Sequence, residues 1–156
     1  QIRTVNKYID GELVDTDVEK TVVAEPVTEQ ILVGTSNMVS PIDAPAGITL
    51  DENGVPTEYS AVITGSATAY SAREGAGTAS GIKAAVGRVA VNPNLIPYGT
   101  RLFIRTTDGS YIYGYAVAAD TGTALMDGRA IVDLFFDSYE ESCQFGRRNV
   151  EIYVLS

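Results

Sequence analysis

The stretch Arg101-Leu102-Phe103-Ile104-Arg105-Thr106-Thr107-Asp108-Gly109-Ser110-Tyr111-Ile112-Tyr113-Gly114-Tyr115-Ala116-Val117-Ala118-Ala119-Asp120 places two apolar, aromatic-rich runs on either side of one Asp-Gly pair. Asp-Gly between strand-like runs marks a β-hairpin, because its tight turn needs positive φ. Working outward, Tyr59–Tyr70, Gly87–Val91 and Ile131–Phe136 also read as strands. Asn149–Leu155 reads as the last strand, with Val150, Ile152 and Val154 on one face. One helix is expected. Ser138-Tyr139-Glu140-Glu141 has the capping-box pattern, Gly146 ends the helix, and Arg147-Arg148 suit its negative end. Short strands, many glycines and one helix predict an all-β fold closed as a small barrel.

The first part of the chain has a different character. Residues 1–58 carry 11 acidic and 3 basic side chains, while residues 59–156 carry 9 and 8, along with 11 of the 15 glycines. Val5, Lys7 and Ile9 alternate with Asn6 and Tyr8 before Asp10-Gly11, which predicts a second hairpin returning through Leu13 and Val14. Thr21–Ala24 and Gln30–Val33 are further β-like runs, with Pro26 as a break between them. Pro41, Pro45, Gly47, Asn53-Gly54 and Pro56 then mark a connecting segment, with one small hairpin at Asn53-Gly54. The expected division is a β-ribbon over 1–35, a linker over 36–58 and the barrel over 59–156.

Composition narrows the function. The chain has 156 residues, enough to bury roughly two-thirds of the surface an unfolded chain exposes. A net charge of −9 argues against nucleic acid as partner, since phosphate neutralisation needs clustered Lys and Arg. No apolar run is long enough to span a bilayer, so no membrane contact is expected within this piece. There is no histidine, which removes the Ser-His-Asp triad and the common zinc sites. An acid or base must then be a carboxylate, Lys, Tyr or Cys. The single Cys143 cannot form an internal disulfide and is read as a small core residue of the helix. The chain opens at Gln1 and is read as a processed or cut piece.

Two carboxylates stand out. Asp120 follows Ala116–Ala119 and precedes Thr121-Gly122, where it is either presented at a barrel rim or simply accepts backbone N–H groups in a turn. Asp133 interrupts Ile131-Val132-Asp133-Leu134-Phe135-Phe136. A charge there is costly unless paired or protonated, and burial beside a second carboxylate raises its pKa, as a general acid requires. The other reading turns the side chain to solvent. Asp137 is read as the residue before the helix, and Asp127-Gly128 as a turn. Gly75–Gly81 is no phosphate loop, lacking a following Gly-Lys-Ser/Thr; it is a flexible surface loop or the wall of a groove. Asp51-Glu52-Asn53-Gly54 lacks the ligand spacing of a calcium loop. Asp15–Glu19 is read as a solvated strand face or hairpin.

A series of short motifs adds to this. Ala67-Thr68-Ala69-Tyr70-Ser71, Thr78-Ala79-Ser80-Gly81, Val89-Ala90-Val91-Asn92-Pro93, Ile96-Pro97-Tyr98-Gly99-Thr100, Ala119-Asp120-Thr121-Gly122, Val132-Asp133-Leu134-Phe135-Phe136 and Gln144-Phe145-Gly146-Arg147-Arg148 occur in order. The series resembles the three-aspartate (3D) domain family of Gram-positive bacteria, related to the catalytic domain of MltA-type lytic transglycosylases, over roughly residues 60–156. Lys7–Gly11, Glu25–Val27 and Val33–Thr35 are similar to the C-terminal half of a G-five domain, a β-ribbon module.

The resemblance implies a double-psi β-barrel acting on peptidoglycan glycan strands, without cofactor or metal and in an extracytoplasmic setting. It implies Asp133 as the acid/base and Asp120 as its partner. Asn92 stands where the family has its third aspartate, and Thr123 replaces a family glycine. Tyr70 is expected to stack on a sugar, and Thr68, Thr78, Thr121, Gly122 and Asn92 to bind substrate hydroxyls. The implied reaction cleaves the MurNAc-GlcNAc bond without water and leaves a 1,6-anhydro end. It competes with hydrolysis, with a non-catalytic wall-binding module on the same barrel, and with a structural spacer. A homodimer by strand exchange is left open.

Overall fold

The computed structural model describes residues 2–20 and 38–156, which fall in two compact units. In the first, β1 (Ile2–Ile9) pairs antiparallel with β2 (Glu12–Lys20). Asp10 at φ 52° and Gly11 at φ 86° make the expected turn. Val5, Tyr8, Ile9, Leu13, Val14 and Val18 are all exposed on this ribbon. The runs Thr21–Ala24 and Gln30–Val33, and the G-five-like motifs at Glu25–Val27 and Val33–Thr35, lie outside the described residues.

The second unit is a closed six-stranded barrel. Its strands are β3 (Ala61–Tyr70), β4 (Arg88–Val91), β5 (Arg101–Thr106), β6 (Ile112–Asp120), β7 (Val132–Phe135) and β8 (Arg148–Val154). The order round the barrel is β3-β7-β4-β6-β5-β8. β3 is the longest strand and closes the ring. Ala61–Ala67 pair antiparallel with β8, and Ala67–Tyr70 pair parallel with β7. The other parallel pair is β4 with β6.

Alternation fills the interior. Ala67, Val89, Val91, Ala116, Ala118, Val132, Leu134, Val150 and Ile152 share one core with Leu102, Ile104 and Tyr113. The period slips at two places. The register of β4 with β6 shifts between Val89 and Ala90, so that Asp120 pairs with Ala90 although Ala118 lies in the core. Gly114, at φ 97°, sits opposite an irregularity in β5, so Tyr113 stays in the barrel core while Tyr115 joins Phe103 and Tyr153 outside it. The Tyr113 hydroxyl accepts from the Gly87 N–H at 2.9 Å and donates to the Phe135 carbonyl at 2.8 Å, which leaves no buried polar atom of that ring unmet.

Residues 38–58 contain no regular strand, yet they form part of the barrel unit. Ser40 N–H donates to the Tyr113 carbonyl at 2.8 Å, and Val55, 4% exposed, packs with Phe103, Tyr115, Tyr153 and Leu155. Two glycines let this strap lie close. A Cβ on Gly87 would come within 2.6 Å of Ile42 Cδ1, and one on Gly114 within 3.0 Å of Met38 Cβ. The proline-rich segment read as a linker is therefore, over 38–58, a cover for one outer face. The Asn53-Gly54 turn forms, with Gly54 at φ 73° and a bridge between Leu50 and Pro56.

The described residues contain two helices rather than one. α1 (Thr123–Met126) is a single turn, too short to leave a periodic signal. α2 (Tyr139–Phe145) has the full capping box between Ser138 and Glu141, and Gly146 caps its end at φ 63°. Arg148 reaches back to the Phe145 and Gln144 carbonyls at 3.0 and 3.2 Å. Ser142 and Phe145, three residues apart, form the buried face of α2. Cys143 falls on the opposite side and is exposed, not a core residue. No helix among the described residues is long and apolar enough to cross a membrane.

Ile152 is fully enclosed, so Ile152→Ala is expected to lower stability by about 2–5 kcal/mol, against about 1 kcal/mol for Ser138→Ala. Urea unfolding of both variants checks this. A cost for Ile152→Ala no greater than for Ser138→Ala would contradict the assignment of the core.

Candidate active site

Strand register assembles the site. Thr68 on β3 lies opposite Asp133 on β7, Asp133 lies opposite Ala90 on β4, and Ala90 lies opposite Asp120 on β6. Since 67, 89, 91, 132 and 134 point into the barrel, these four point outward in one row across adjacent strands. The two aspartates are separated by two strand spacings, about 10 Å of backbone. Between them Ala90, 3% exposed, offers only a methyl group. A larger residue there would stand between the carboxylates.

Asp133 is half-buried and takes the Thr68 hydroxyl on Oδ1 at 2.8 Å. Burial pushes its pKa above the ordinary 3.8; the Thr68 hydrogen bond opposes the shift and the Asp120 charge adds to it. The solvent-facing alternative for Asp133 is thus met only halfway. The side chain leaves the barrel core but enters a layer covered by other groups.

Asp120 is held differently. Its Oδ1 accepts the Ala79 N–H at 2.8 Å and the Thr121 N–H at 2.9 Å, and its Oδ2 accepts the Tyr70 hydroxyl at 3.2 Å. Three donors on one carboxylate fix its position. The Tyr70 ring stands edge-on to Phe135, with centroids 5.3 Å apart, and packs on Ala90, Leu125 and Ala130. Burial, with the Asp120 charge, pushes the Tyr70 phenol pKa up.

The glycine-rich segment forms a hairpin-like loop. Thr78 N–H donates to the Ile82 carbonyl at 2.8 Å and Ala84 N–H to the Ala76 carbonyl at 2.8 Å. Ser80 N–H, donating to the Ala119 carbonyl at 3.0 Å, joins the Asp120–Ala79 contact in pinning the loop to the end of β6. Thr78 spends its hydroxyl inside this loop, on the Ile82 carbonyl at 2.9 Å and near Ser80 Oγ at 3.1 Å.

The row therefore brings together Asp133, Asp120, Thr68 and Tyr70. Thr121 joins through its backbone, while its hydroxyl is enclosed without a hydrogen-bond partner among the described residues. Gly122, extended at φ −164°, starts α1, and its carbonyl accepts from Leu125 and Met126. Asn92 lies two residues past Ala90, where its Oδ1 accepts the Asn94 N–H at 3.0 Å and its Nδ2 faces the Leu125 carbonyl at 3.5 Å. It lines a mainly apolar pit of about 350 Å³ with Leu95, Leu125, Met126 and Ile131. Ala79 and Ala90 are site residues that sequence reasoning did not single out. Ala79 acts through a backbone N–H, which leaves no trace in residue type, and Ala90 matters through register alone.

The chain is similar in sequence to known proteins. Over 108 residues, 64% of its length, the chain is 35% identical to the cell wall-binding protein YocH of Bacillus subtilis (strain 168). Over 68 residues, 44% of its length, it is 35% identical to YabE of the same organism, a protein named for cell wall shaping. The chain spans 34% of the length of YocH and 15% of that of YabE. The matching family model is the 3D domain, aligned to residues 87–156, which run from the start of β4 through β8 and include Asp120 and Asp133. Residues 87–156, and with them both aspartates, carry the match to the 3D domain family.

Proposed function

We propose that the barrel cleaves peptidoglycan glycan strands as a lytic transglycosylase, with Asp133 as its single acid/base. The supporting observation is the row Thr68–Asp133–Ala90–Asp120, in which one carboxyl has a raised pKa and its neighbour is held by three donors. Thr68 occupies Oδ1 of Asp133, leaving Oδ2 to carry a proton. Protonated Asp133 donates to the glycosidic oxygen as the bond to MurNAc C1 breaks. The Asp120 charge stabilises the positive charge that develops on the sugar. Asp133, now a carboxylate, takes the proton of the C6 hydroxyl as that oxygen bonds to C1. The proton lost in the first half is regained in the second, and no water is consumed. Tyr70 positions Asp120 rather than stacking on the sugar, since its hydroxyl and ring are both engaged. The location that follows from this substrate is extracytoplasmic.

A second reading keeps the groove and drops the chemistry: a wall-binding module. The similarity to YocH, a protein named for cell wall binding, and the neutral Asn92 at the third family position favour it.

Incubation with purified peptidoglycan, read by mass spectrometry, separates the two. Anhydro-muropeptides are expected, falling at least about 100-fold in Asp133→Asn, the scale of a lost general acid. Retention of Asp133→Asn on insoluble wall shows that it is folded. Retention of the parent protein with no products supports the binding module, and products of the mass expected with added water support hydrolysis.

The pH profile carries a signed expectation. Activity requires protonated Asp133, so it falls as pH rises through the raised pKa. Thr68→Val removes a hydrogen bond that favours the charged form and should move this limb to higher pH. Asp120→Asn removes the like charge and should move it to lower pH. Shifts of the same sign in both variants would contradict the assignment. The same linkage bears on stability. Asp133 binds its proton more tightly folded than unfolded, so its contribution is present below pH 3.8 and is lost as pH rises through the folded pKa.

A further inference from the structure

A second cavity lies on the barrel unit, of about 450 Å³, between the strap at residues 42–46 and the outer face of β5 and β6. Its volume lies in the range of small-ligand sites, roughly 300–1,000 Å³. Ala44 and Pro45 on the strap and Val117 on β6 form apolar walls. Arg101 is exposed at this cavity and its guanidinium has no ion-pair partner among the described residues. Tyr115, 4% exposed, also lines the cavity, and its hydroxyl is one of two enclosed side-chain polar atoms without a hydrogen-bond partner among the described residues. An enclosed hydroxyl without a partner costs about 1–3 kcal/mol, so a native fold that keeps one calls for an explanation. Asp43 is the opposing charge, on the strap side.

These features select a ligand class. A cation beside small apolar walls fits a carboxylate carried on a short, small-residue body, and a peptide carbonyl would give the Tyr115 hydroxyl an acceptor. Asp43 disfavours a larger anion such as a phosphate and tolerates amide N–H donors. We propose that this cavity binds a short peptide of small residues through its C-terminal carboxylate, with Arg101 as the charge partner and Tyr115 as the inner hydrogen-bond donor. Resting on the glycan reading above, the source is the peptide stem that peptidoglycan strands carry. The cavity would then read the stem while Asp133 acts on the sugar.

The test titrates the ¹⁵N-labelled full chain with N-acetyl-Ala-Ala and with its C-terminal amide, following backbone amide shifts. Saturable shifts are expected in residues 42–46, 101–102 and 115–117, absent with the amide and about tenfold weaker in Arg101→Gln, as for loss of one charge-assisted hydrogen bond. Tyr115→Phe, which keeps the ring, should also weaken binding. No saturable shift at these residues, or equal binding of acid and amide, overturns the proposal. A muropeptide bearing the same peptide on its sugar distinguishes the sources. Tighter binding than the free dipeptide supports the wall stem, and binding of the free dipeptide alone overturns the link to the wall. None of these readouts depends on glycan cleavage, so a failed cleavage assay leaves them standing.

Discussion

A carboxylate in the middle of a barrel strand is the constraint from which the site follows. Asp133 has Val132 and Leu134 on either side, both fully buried in the barrel core, so strand alternation drives its side chain to the outer face. On that face β7 lies between β3 and β4, and the register leaves it two neighbours: the Thr68 hydroxyl and the Ala90 methyl. One supplies a hydrogen bond and the other supplies room. The strand beyond Ala90 supplies Asp120, close enough for its charge to disfavour ionisation of Asp133.

Asp120 has a different economy from Asp133, though both are aspartates on adjacent parts of one sheet. Tyr70, Ala79 and Thr121 each donate to Asp120, while among the described residues Asp133 has the single donor Thr68, and burial outweighs that hydrogen bond. Environments that treat two carboxyls so differently suit the two roles proposed for them, Asp120 held in place and Asp133 carrying the proton. The same contacts join the site to the fold. Asp120 ties the 76–84 loop to β6, and Tyr70 carries Asp120 onto the packed layer of Phe135, Ala90 and Leu125.

Much of this was legible where local chemistry is strict. Asp10-Gly11 and Asp108-Gly109 allow few conformations, and Ser138–Glu141 satisfies its own helix start, so both hairpins and α2 follow from the residues that form them. Long-range partners were harder to read. Nothing in the composition of residues 38–58 says that Val55 is buried against Phe103, because the apolar residues there are spaced irregularly among prolines and glycines. The single turn of α1 has no period to detect. Cys143 was assigned inward by residue type, but helix geometry faces Ser142 and Phe145 inward instead. Tyr111, Tyr113 and Tyr115 look like one alternating face until Gly114 shifts the phase between the last two. The aspartates themselves were visible as charges in unexpected company. Their common row was not, since it depends on the register of strands that are not neighbours in sequence.

The most direct measurement is the titration of the Asp133 side-chain carboxyl by ¹³C NMR in the intact chain, beside Asp120→Asn. The expected result is a midpoint above 3.8 in the parent protein that moves down when the Asp120 charge is removed. A midpoint at or below 3.8, unmoved by Asp120→Asn, would contradict the account, because Asp133 would then carry no proton that the neighbouring charge helps to hold.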